Sequence, residues 1–135
     1  MKNNYIEAEK WIKRAVSNYK KAIICKNDNE IYLEDICFDL QQAAEKAIKS
    51  VMIYYNLEIP KTHSIGFLLH QLQKNGIETP QKINNAAILT GYAVETRYPG
   101  EYEEIDEEEY KEAFKITLEV IQFCENILNQ HKTIF

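Results

Sequence analysis

The sequence predicts an all-α fold, an antiparallel up-down helical bundle of four longer helices and one short helix, in a single domain over residues 1–135. Three observations predict it. Apolar residues return at spacings of three and four through most of the chain, the period of a helix buried along one face. Only four glycines and three prolines occur in 135 residues, too few for the many tight turns of a β-sandwich or barrel. Hydrophobic residues make up 45% and charged residues 27%, the balance of a domain that buries a core and does not stay disordered. No internal repeat, low-complexity tract or linker interrupts the pattern.

The first helix is expected from about Asn4 to Cys25. Tyr5, Ala8, Ile12, Ala15, Tyr19, Ala22 and Ile23 form its apolar stripe, Trp11 and Val16 widen it, and Lys13, Arg14, Lys20 and Lys21 cover the other side. Lys26-Asn27-Asp28-Asn29 breaks it, and Asn27 with Glu30 three later makes a capping-box variant. The second helix is expected from about Glu30 to Asn56, with Ile36, Leu40, Ala43, Ala44, Ala47, Val51 and Tyr54 inside. At 1.5 Å per residue it would be about 39 Å long, the spine of the bundle. Its small residues in the middle let another helix approach closely.

Glu58-Ile59-Pro60-Lys61 reads as an extended connector, because a residue before proline avoids the α region. Thr62 is the expected N-cap of a short third helix that buries Ile65, Leu68, Leu69 and Leu72 and stops at Asn75-Gly76. Thr79-Pro80 opens a fourth helix, with threonine as cap, proline at the first helical position, and Ile83, Ala87, Thr90 and Val94 on its inner stripe. Pro99-Gly100 ends it. Seven acids then fall in the nine residues from Glu101 to Glu109. Asp106 with Glu109 caps a last helix from about Glu107 to Asn129, whose stripe is Tyr110, Phe114, Leu118, Ile121, Cys124 and Leu128. Trp11, Val16, Val120 and Phe123 are more apolar surface than four helices need to cover one another, which points to a homodimer.

Several function classes are disfavoured. No apolar run approaches the roughly 20 residues of a membrane span, and the N-terminal MKNNYIEAEKW lacks the apolar core of a signal peptide, so a cytoplasmic protein is expected. The net charge of −5 is the opposite of a basic nucleic-acid binder. Cys25, Cys37 and Cys124 include no CxxC pair and read as small buried residues with reduced thiols. The acidic run lacks the alternating ligands and central glycine of a calcium loop, and His63 and His70, seven apart, have no partner at zinc spacing. No metal and no cofactor are expected. The glycines stand singly, so no phosphate-cradling loop is present.

Arg97 is the most informative residue. It follows Val94 by three on the inner stripe of the fourth helix, just before Pro99-Gly100 at the mouth of the bundle. A guanidinium there can hold a phosphate or carboxylate through two parallel hydrogen bonds, or pair with one of the seven acids beside it. Tyr98 and Tyr102 flank the turn and can stack on a base. His63 is expected as a hydrogen-bonding residue near the start of the third helix.

The stretch from Phe38 to Lys49 resembles the second-helix signature of HEPN domains. Lys61-Thr62-His63-Ser64-Ile65 with Leu68-Leu69 is similar to that family's short third helix, and Arg97-Tyr98-Pro99 to the arginine turn ending its fourth. Order and spacing agree from about residue 4 to 129. The resemblance implies a helical bundle that dimerises, with paired arginines facing a shared cleft. It also implies, for many prokaryotic members, a two-gene toxin–antitoxin module with a minimal nucleotidyltransferase. Catalytic members cleave RNA without metal, using an arginine and a histidine after four to six intervening residues. Counted from Arg97, those positions are Tyr102, Glu103 and Glu104. None is an imidazole, the side chain best matched to proton transfer near neutral pH, and two are carboxylates that repel an RNA backbone.

The sequence therefore favours a dimeric HEPN subunit that binds a nucleotide or a nucleotidyltransferase-type partner through Arg97, Tyr98 and His63. Two alternatives stand beside it. One is a metal-independent RNase in which Arg97 acts with an atypical helper such as Tyr102 or His63. The other is a structural helical dimer without a ligand. RNA is the less favoured partner.

Overall fold

The computed structural model describes residues 2–93 and 104–132. Among them lie helices α1 (Lys2–Cys25), α2 (Leu33–Tyr54), α3 (Ile65–Lys74) and α4 (Gln81–Asn84), a 3₁₀ segment (Asn85–Ala93) that continues α4, and α5 (Glu107–Lys132). No strand occurs among the described residues.

Helix α2 is the spine. Ile36, Leu40, Ala43, Ala44, Ala47, Ile48 and Val51 are all 0–1% exposed, and α2 packs on α1, α3, α5 and the 3₁₀ segment. Cross-links give the directions. Lys46 of α2 bonds Asn18 of α1, while Lys21 pairs with Asp39, so the numbers rise on one helix as they fall on the other and the pair is antiparallel. The end of α1 meets the start of α5, where the Lys26 ammonium pairs with Glu107 at 2.9 Å and lies over the Tyr110 ring. Helix α5 thus runs against α1 and alongside α2. The Thr117 hydroxyl donates to the Leu40 carbonyl between them. The 3₁₀ segment climbs back along α3, where Thr90 Oγ1 accepts the Ile65 amide.

The element ends show where local chemistry decided. Helix α2 starts at Leu33, not Glu30: Asp28 Oδ1 accepts the Glu30 amide at 2.9 Å, a turn that replaces the expected Asn27 box. It ends on Asn56 at φ +57°, with Leu57 N–H donating to Met52 and Asn56 N–H to Ile53, both helix-end carbonyls. Helix α3 repeats this with Gly76 at φ +85°, Ile77 donating to Leu72 and Gly76 to Gln73. The α3 cap is Ser64, whose Oγ accepts the Phe67 amide; Thr62 instead accepts the Ser64 amide one turn earlier. Pro80 is the cap residue of α4 and not its first helical position. At α5, Asp106 Oδ1 accepts the Glu109 amide as expected.

The fourth element departs most from its expected form. It is α-helical for one turn and then winds as 3₁₀, so its buried row is Ile83, Ala86 and Leu89, spaced by three. Ala87, expected inside, is exposed. In α1 the stripe holds except at Ile23, which is 40% exposed. In α5, Val120 is fully buried within the chain. Of the four residues whose apolar surface pointed to a dimer, Trp11, Val16 and Phe123 are half-buried, and Ile6, Ile24, Phe67 and Ile88 are exposed besides. Cys37 and Cys124 are buried, Cys25 is half-buried, and none of the three forms a disulfide within the chain. Burial pushes the Cys124 thiol up.

Candidate functional site

The four-residue spacing of Gln41, Glu45 and Lys49 puts all three on one stripe of α2. That stripe faces the connector leading into α3, which closes over it, so the three are 0%, 5% and 9% exposed. A buried carboxylate is costly unless every lone pair finds a donor. Here Lys49 Nζ donates to Glu45 Oε2 at 2.8 Å, while Gln41 Nε2 and His63 Nδ1 both reach Oε1 at 2.9 Å. Gln41 also approaches the His63 carbonyl at 3.3 Å, and Gln42 donates to Gln41 Oε1 at 2.8 Å.

The electrostatics of Glu45 follow from this. Burial pushes its carboxyl up. The hydrogen bonds from Lys49, His63 and Gln41, together with the Lys49 charge, outweigh burial and hold it below the usual carboxylate range. An ionised Glu45 requires the His63 proton on Nδ1, which fixes the tautomer of a neutral ring. The carboxylate is the buried member and the imidazole the open one: the side chains are 6% and 63% exposed. The cluster thus anchors one edge of a solvent-facing imidazole at the start of α3.

The expected site residues fare differently. His63 is not on the short helix but in the connector before it, and it is a hydrogen-bonding residue near the cap as expected. His70 is exposed on α3. Arg97, Tyr98 and Tyr102 lie outside the described residues. The described residues on either side of that segment are pinned. The Tyr92 hydroxyl donates to Glu109 Oε2 at 2.5 Å, and the Ile105 amide to Glu34 Oε1 at 3.2 Å. Thr90 ties the same 3₁₀ segment to the α3 N-terminus, next to His63. Gln41, Glu45 and Lys49 carried no assigned role in the sequence. Their signal was the polar four-residue spacing beside the apolar stripe of the second helix.

Among the described residues no cluster of His, Cys, Asp and Glu could hold a metal ion, and no helix is long and apolar enough to cross a membrane.

The HEPN domain family model matches residues 8–127. The crystal structure of ST0689, an archaeal HEPN homologue, is 27% identical with a TM-score of 0.71, over 90% of this chain and 97% of that one. The crystal structure of TT1696 from Thermus thermophilus is also 27% identical, with a TM-score of 0.75, over 88% and 96% of the two chains. No curated protein matches the chain.

Proposed function

This chain belongs to the HEPN domain family, and from that premise we propose that it is a dimeric binding subunit of a two-gene toxin–antitoxin module. In this reading Arg97, flanked by Tyr98, holds a nucleotide phosphate or a carboxylate of a nucleotidyltransferase partner. One observation carries it: the positions after Arg97 where a cleaving member needs an imidazole are Tyr102, Glu103 and Glu104. The seven acids from Glu101 to Glu109 favour a basic protein surface over a free RNA backbone at that place. His63 fills none of those positions: it lies in the connector before α3, with Nδ1 held by Glu45.

The test has three arms. Calorimetry with nucleotides and co-purification with the product of an adjacent nucleotidyltransferase gene are expected to give binding that Arg97→Ala abolishes. Labelled RNA incubated without metal is expected to stay intact. RNA cleavage that disappears in Arg97→Ala would instead establish a ribonuclease. No binding in either assay, with Arg97→Ala changing stability alone, would leave a structural dimer.

A further inference from the structure

The charge of −5 conceals a segregated distribution. Residues 10–27 hold six cations (Lys10, Lys13, Arg14, Lys20, Lys21 and Lys26) and no acid. Their pairing within the chain is incomplete. Lys10 and Lys13 reach Glu7 and Glu9 on the exposed surface, Lys21 reaches Asp39 at 3.4 Å, and Lys26 reaches Glu107. Arg14 and Lys20 have no carboxylate within ion-pair distance among the described residues. Lys46 of α2 adds a further cation at the same seam. Its Nζ donates to Asn18 Oδ1 at 2.7 Å, and among the described residues it too has no carboxylate at ion-pair distance.

The spacing gathers these groups. Trp11, Arg14, Asn18 and Lys21 stand three, four and three residues apart, one flank of α1, and that flank is the one facing Lys46. Trp11 is half-buried and Arg14 exposed. Arg14 and Lys21 are close enough to Lys46 to disfavour its charged form: burial lowers its pKa first, and the two like charges add to it, while Glu45 and Asp39 act the other way. A shallow furrow around the helix is lined by the cations Lys13, Lys20 and Lys21 together with Ser17, Val16 and the exposed Ile24.

We propose that Trp11, Arg14, Asn18 and Lys21 of α1, completed by Lys46 of α2, form a contact surface for single-stranded nucleic acid. The cations and the Asn18 amide take successive phosphates, and the Trp11 indole stacks on a base. An indole set among cations favours this occupant over an acidic protein segment, which offers nothing flat to stack. Of the described acids in the acidic run, Glu107 pairs with Lys26, past the C-terminal end of this stripe. The surface uses no part of the Arg97 turn, so Arg97→Ala is expected to leave it intact; it rests on the dimer of the function proposed above leaving Trp11 uncovered.

Trp11 is the only tryptophan in the chain, so its fluorescence reports on this surface alone. Titration of the full chain at low salt with a short oligouridine, and in parallel with oligothymidine, is expected to quench it. Affinity is expected to fall with salt at a log–log slope of about −2, as for three cations at about 0.7 each on a single strand. Equal quenching by both oligomers means that phosphate and base stacking suffice; tighter RNA binding means that the 2′-hydroxyl is read as well. Arg14→Gln with Lys46→Gln is expected to weaken binding about tenfold or more with an unchanged circular dichroism spectrum. Lys82→Gln, on α4, is expected to change nothing. Absence of quenching, equal quenching by polyglutamate, or binding that the Arg14/Lys46 double variant leaves unchanged would each overturn the proposal. If the double variant loses its helical spectrum, Arg14→Gln alone, at an exposed position, decides by the same criterion.

Discussion

Glu45 and Lys46 are adjacent on α2, about 100° apart around its axis, and meet opposite surroundings. Glu45 is enclosed, and three side chains donate to its two oxygens. Lys46 looks onto α1, where among the described residues it bonds the Asn18 amide and Arg14 and Lys21 add like charge. In the first cluster both Glu45 oxygens are taken up by donors within the chain, and the effect is to hold the connector and His63 against α2. The second retains unspent charge at the surface. A saturated network fixes structure, and an unsaturated one is open to a ligand. Two neighbouring residues of one helix show both conditions.

Glu45→Ala tests the first half of this contrast most severely. It strands Lys49 in a site where that residue is 9% exposed, and loss of one member of a buried pair costs about 3–5 kcal/mol. Chemical denaturation is expected to show that loss, and a cost under about 1 kcal/mol would mean that the cluster is not saturated by Glu45 at all.

The acid limb of the stability curve comes next. The Glu45 carboxyl is lowered in the folded chain, so its contribution is complete above the unfolded carboxylate range, about pH 4–5, and is lost as pH falls through the lower folded value. Glu45→Gln is expected to flatten the melting-temperature profile on that limb only. An unchanged profile would assign the acid dependence to other carboxylates.

A smaller effect separates the cap from the cluster. Ser64→Ala removes the acceptor of the Phe67 amide and is expected to cost about 1 kcal/mol, while leaving the acid limb unaltered. Smallest of all is Arg14→Gln. On the unsaturated side there is no pairing to lose, so stability is expected to stay within about 0.5 kcal/mol. A larger loss would place Arg14 in the architecture and remove the contrast.

The long helices were legible because their burial follows period and little else. The stripe of α2 from Ile36 to Tyr54 is buried as expected. Legibility failed where two local options were nearly equal. In Thr62-His63-Ser64 either hydroxyl can cap a helix, and the chain uses both in succession, with Ser64 taking the helix itself. At Asn27–Glu30 an Asp28 turn displaced the capping box. The Glu45 cluster was legible only in part, for another reason: the four-residue spacing of Gln41, Glu45 and Lys49 puts them on one stripe, but burial of a glutamate is set by the connector that folds over it. His63 could be singled out from the same stretch because a histidine beside a helix start has few local uses.

The 3₁₀ winding of Asn85–Ala93 also sets distance and twist. At about 2.0 Å per residue those nine residues span about 18 Å, where an α-helix at about 1.5 Å would span about 13.5 Å. Each 3₁₀ residue also turns the chain by about 120° instead of about 100°, so over the segment the two windings diverge by about half a revolution. Tyr92 thereby reaches Glu109 at the head of α5 without a single added residue. In a chain this poor in glycine and proline, the reach that another protein would take from a longer loop comes from a tighter screw.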